Sequence, residues 1–213
     1  ELAPKLRAAG HNVTTPTLTG LGERKHTMND TADLKTHIQD IVNHIEMEDL
    51  RNIDLVGWSY GGMVTTGVLA RVTDRIRSMI YLDAFVPENG KALIDYAEGP
   101  VVKIFNDAKN KAQPLPAIPL EVFGVKDPKI IEFVKPRLVL QPWRTSFQPV
   151  EALKTRPNIP FTYVRCLGFV NSPFGYFHDK LKAEGVKTIE IKASHLCMLD
   201  SVEEVANILL TSA

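Results

Sequence analysis

Cysteine is scarce here: 213 residues hold only two, Cys166 and Cys197. Two are too few for a disulfide framework, so free thiols in a reduced, cytoplasmic chain are the expectation. Long apolar runs are absent too. No stretch approaches the roughly 18–20 residues needed to cross a bilayer, which leaves no membrane partner to expect. Neither sign of charge is in excess, with Lys plus Arg and Asp plus Glu both 25. That balance gives no footprint for nucleic acid. Histidines at metal-ligand spacing beside a carboxylate or thiolate are also missing, so no metal is expected. The 44% hydrophobic content suits one globular domain with a substantial core.

What the sequence does have is alternation. A helical pattern opens the chain at Leu2, Leu6 and Ala9, with Gly10 placed to stop it. Residues 12–18 read as a short strand, followed by a loop punctuated by Gly20 and Gly22. Across residues 31–50, Leu34, Ile38, Ile41, Val42 and Ile45 mark one face of a helix, capped by Asp30 or Thr31. A strand at 52–57, a helix at 61–72 and a continuous apolar strand at 77–85 follow. Most of the fourteen prolines then fall between Pro87 and Pro149, where central strands are ruled out. Alternation resumes with strands at 161–166 and 187–191 and helices at 174–184 and 201–210. The expected architecture is α/β: a mostly parallel sheet with helices on both faces, formed by 1–86 and 150–213, and a small inserted cap at 87–149.

Gly57-Trp58-Ser59-Tyr60-Gly61 fits G-x-S-x-G in the one context that gives it meaning, after a buried strand and before a helix. A serine nucleophile there needs a sharp turn, with flanking glycines letting strand and helix approach. The Tyr60 N–H at the helix start faces a developing oxyanion. Of the six histidines, His37 and His44 sit on an amphipathic helix and suit packing or solvent, His178 lies within a helical pattern, and His11 and His26 precede the serine. Only His195 follows the last strand, so it is the candidate base. For the acid, Asp83 closes an apolar strand where an unpaired carboxylate is costly. Asp179 is the alternative. Trp58, Phe85, Trp143, Phe147, Phe169 and Leu196 are candidates for lining a substrate pocket.

Four stretches carry a family resemblance: residues 15–24, 55–63, 81–87 and 194–198. The chain resembles bacterial α/β-hydrolases close to the plant methylesterase and hydroxynitrile lyase family. The resemblance implies ester cleavage through an acyl-enzyme, with a small-molecule ester as the partner and no cofactor. It also supports Asp83 as the acid. Hydroxynitrile lyases of this kind carry lysine after the histidine; Leu196 stands there, which favours ester hydrolysis. Lyase-type or other chemistry with the same triad, and a silent small-molecule-binding protein, are the competing readings. Family members begin with a strand and a His-Gly loop that supplies a second oxyanion N–H. The resemblance therefore implies that the sequence is a fragment lacking this first core strand, which would lie between residues 12–18 and the strand at Leu55.

Overall fold

The computed structural model describes residues 1–212. Four parallel strands, β1 (Ile53–Ser59), β2 (Ile76–Ala84), β3 (Phe161–Cys166) and β4 (Lys187–Ile191), lie side by side in chain order. Parallel neighbours require crossovers, which α3 (Gly61–Arg71) and α6 (Phe174–Ala183) supply between β1 and β2 and between β3 and β4. The apolar run in β2 is buried on both faces, and alternate residues part company accordingly. Met79 and Tyr81 join one core with α3, α6 and α2 (Leu34–Met47); Ile80 and Leu82 join another with Val164, Ile191 and α8 (Val202–Thr211). Leu2 and Leu6 of α1 (Leu2–Ala8) pack on that second core.

Helix α2 begins later than its pattern suggests. Asp33 is the cap, accepting from Thr36 N–H at 2.9 Å in a capping box, so Asp30 and Thr31 fall outside the helix. Residues 12–18 form no strand. No described strand pairs with them, and β1 pairs only with β2 among the described residues. Guanidinium groups satisfy some of the carbonyls that a ladder would otherwise pair, with Arg7 donating to the Val13 carbonyl and Arg24 to that of Thr17. Residues 87–149 contain α4 (Pro100–Lys111), α5 (Pro128–Val134), three 3-10 turns and one isolated antiparallel bridge, Leu115 to Gln141. The last short helices are α7 (Cys197–Asp200) and α8.

Candidate active site

β1 ends in a reversal that few side chains tolerate: Ser59 sits at φ +53°, a left-handed conformation that costs free energy unless surroundings enforce it. The enforcement is tight packing of α3 on the sheet. A Cβ on Gly57 would stand 2.3 Å from Thr65 Oγ1, and one on Gly62 only 2.0 Å from the Phe85 carbonyl oxygen. At Gly61, by contrast, a Cβ would meet nothing within 4 Å. The close approach expected of the second motif glycine belongs to its neighbour.

Asp83 reaches the same place through a bulge. Trp58 pairs with Leu82 and Ser59 with Ala84, which leaves Asp83 unpaired at φ +45°. A bulge redirects the side chain of the extra residue. Fully buried, Asp83 accepts from Cys166 N–H at 3.0 Å through Oδ1 and from His195 Nδ1–H at 2.6 Å through Oδ2. Ser59 Oγ–H donates to His195 Nε2 at 2.8 Å. The carboxylate can only accept from Nδ1, so Nε2 carries the lone pair facing the serine. Asp179, itself exposed, instead holds the Nδ1 of the buried His178 at 2.8 Å on α6, apart from this chain of bonds.

The loop bearing His195 is braced from within, by Ser194 N–H to Asp200 at 3.0 Å and Leu196 N–H to Ser194 Oγ at 3.1 Å. The His195 ring is 1% exposed. Phe174 stacks on it at 5.3 Å and 18°, and Trp58, Phe123 and Phe169 stand 4.9, 4.9 and 5.0 Å away. Of the proposed lining residues, Trp58 and Phe169 therefore touch the site's histidine. Phe85 packs into an aromatic core with Phe174, Phe177 and Tyr96. Trp143 and Phe147 face each other, 5.9 Å apart, in the 87–149 segment. Leu196 joins Leu120 and Val125 in a small apolar cluster. Cys166 and Cys197 are free and buried. Their mutual hydrogen bond, then burial, pushes the Cys166 thiol far above its usual range, so it is no competing nucleophile.

His37 has a larger part than its helical position suggests. It is wholly buried, with Nε2–H donating to the Thr19 carbonyl at 2.9 Å and Nδ1 accepting from Tyr60 O–H at 2.9 Å. Thr19 is in turn held by Asp40 through its N–H and hydroxyl, at 2.7 and 3.0 Å. The residue after Ser59 is thus anchored to the loop before α2. Burial holds the His37 pKa below its ordinary value, since the charged ring loses solvation. The unfolded chain therefore takes up the proton first as pH falls. His37's stabilisation is complete above about pH 6.5 and is lost below it, toward the depressed folded value. Thermal midpoints measured from pH 8 to 5 should fall more steeply for the wild type than for His37→Gln.

A parallel α/β sheet with a strained serine turn at a strand's carboxyl end defines an α/β hydrolase fold. The comparisons with known proteins agree. The alpha/beta hydrolase family profile matches residues 1–208, and the chain belongs to that family. A carbendazim hydrolyzing esterase of Nocardioides sp. is 38% identical over 226 residues, spanning 97% of this chain and 90% of that protein. Among solved structures, an extracellular α/β-hydrolase from a Paenibacillus species superposes with a TM-score of 0.86 at 23% identity, covering 100% of this chain and 91% of that one. A methylesterase from Arabidopsis gives 0.68 at 22%, covering 99% and 90%. The two solved structures share the fold, and the 38% identity to the esterase supports hydrolase activity of that kind. Among the described residues, no helix is long and apolar enough to cross a membrane.

Proposed function

We propose that the chain cleaves carboxylic esters through an acyl-enzyme on Ser59. The observation that carries this reading is the continuous hydrogen-bonded chain Asp83–His195–Ser59, with the serine in a strained turn. Ser59 Oγ attacks the ester carbonyl while His195 Nε2 takes its proton. The tetrahedral oxyanion draws on the Tyr60 N–H at the start of α3. Collapse breaks the acyl–oxygen bond, and His195 returns the proton to the leaving alcohol. Water then repeats the sequence on the acyl-serine, releasing the acid and freeing Ser59. Asp83 holds the imidazole tautomer and offsets the imidazolium charge in both halves. No step calls for a cofactor.

Residues 87–149 act as the cap, and the Phe123, Phe169 and Phe174 rings make an apolar, water-poor wall suited to small uncharged esters. Leu196 after the histidine favours this over a cyanohydrin-cleaving reaction, which the resemblance associates with lysine there. A fluorophosphonate probe should label Ser59, as mapped by mass spectrometry, and leave Ser59→Ala unlabelled. Carbendazim, the substrate named for the 38%-identical relative, belongs beside p-nitrophenyl esters in the first assays. An unlabelled wild type would sink the reading and return attention to a silent binding protein.

A further inference from the structure

The side chain of His195 is held by the acid and the serine, but its main chain is held by two other groups. Its N–H donates to the Phe123 carbonyl at 2.9 Å. Its carbonyl accepts from Trp58 Nε1–H at 2.7 Å. Trp58 lies immediately before Ser59, so one jaw of this grip is part of the nucleophile's own turn. The other jaw belongs to the turn at residues 120–125, far away in sequence and within the 87–149 segment.

That second jaw is seated firmly. Gly124, at φ +75°, lies so close to the loop after β3 that a Cβ would be 2.1 Å from the Gly168 carbonyl oxygen. Gly168 N–H donates to the Ala193 carbonyl at 2.8 Å, two residues before His195. Leu120 and Val125 bury themselves against Leu196 on the other side of His195. Backbone is thus stacked on backbone from the 120–125 turn to the histidine loop.

We propose that Trp58 and the 120–125 turn clamp the main chain of His195, so that the segment covering the site also sets the position of its base. Trp58 is then a positioning residue rather than a wall of the substrate pocket. The need for a clamp follows from the reaction. Once Ser59 is acylated its hydroxyl proton is gone, and His195 loses one of its two side-chain bonds while it must still aim Nε2 at the incoming water. Asp83 and the packed rings hold the imidazole, but the backbone that carries it could still shift; with the main chain fixed on both sides it cannot. Misplacement by even 1 Å costs orders of magnitude in such steps.

This inference rests on His195 being the base, and the test separates the two. In the full chain, Trp58→Phe keeps an aromatic ring and removes only the donor. Inactivation by diisopropyl fluorophosphate and kcat/KM for p-nitrophenyl esters should both fall about tenfold, the scale of one lost hydrogen bond. The factor should be the same for short and long acyl chains. The far-downfield imidazole N–H proton resonance of His195 should broaden, which loss of a pocket wall would not cause. Gly124→Ala, acting from the other jaw, should reproduce the pattern. A Trp58→Phe protein inactivated at the wild-type rate, or slowed only for long acyl chains, would overturn the clamp while leaving the triad intact. A wild type that the probe fails to modify would instead overturn the triad reading, and the clamp with it.

Discussion

Asp83→Asn should lower kcat by about 10⁴-fold, the magnitude expected when the base is locked in the wrong tautomer. The reason lies in the two donors that Asp83 faces, Cys166 N–H and His195 Nδ1–H. A carboxylate accepts both. An amide has one oxygen, so its NH₂ must oppose one of the two donors. If the oxygen stays on Cys166 N–H, the NH₂ forces His195 to carry its proton on Nε2, where it can no longer accept from Ser59. If the oxygen turns to His195, two N–H groups are pressed together inside a fully buried pocket. Either arrangement stalls the reaction, and neither leaves the chain unstrained. Stopped-flow or endpoint hydrolysis of a p-nitrophenyl ester measures the loss. Asp179→Asn, changed on the exposed face of α6, should stay within about twofold of wild type; the reverse pattern would move the acid to Asp179.

The readable and unreadable parts of this chain differ in what produced them. β2 announces itself because residues on both of its faces are buried, leaving an unbroken apolar run; β3 and β4 have the bounds their patterns imply. The serine turn is legible for the same reason, since chemistry and backbone geometry both restrict a contiguous pentapeptide. What brings Asp83 to His195 is a one-residue bulge, and a bulge leaves no periodic trace. The role of His37 was hidden because its two partners, Thr19 and Tyr60, lie 18 and 23 residues away. Phe123 contributes a carbonyl, an atom every residue has, so nothing in the sequence could single it out. Residues 12–18 show the opposite failure. Their composition favours a strand, but a strand also needs a neighbour, and no described strand pairs with them.

Gly62→Ala should be among the most destabilising single-methyl changes this chain can receive, costing about 3 kcal/mol or more. The added carbon would lie 2.0 Å from the Phe85 carbonyl oxygen and 3.0 Å from both the Phe85 carbonyl carbon and Ala84 Cβ. Two of those three atoms are backbone, at the end of β2 where Phe85 N–H also donates to the Ser59 carbonyl at 3.2 Å. No side chain can rotate away to make room, so α3 must lift from the sheet. Lifting α3 moves Tyr60 and disturbs the turn that holds Ser59 at positive φ, so activity should fall along with stability. Gly61→Ala is the matched control. It adds the same methyl one residue earlier, into open space at the first position of α3, where the change should stay within about 0.5 kcal/mol. For a domain of this size the two variants should separate by roughly 10 °C in thermal midpoint. Equal midpoints would mean that α3 does not lie on the sheet as closely as this geometry requires. The strain stored at Ser59 would then need another source.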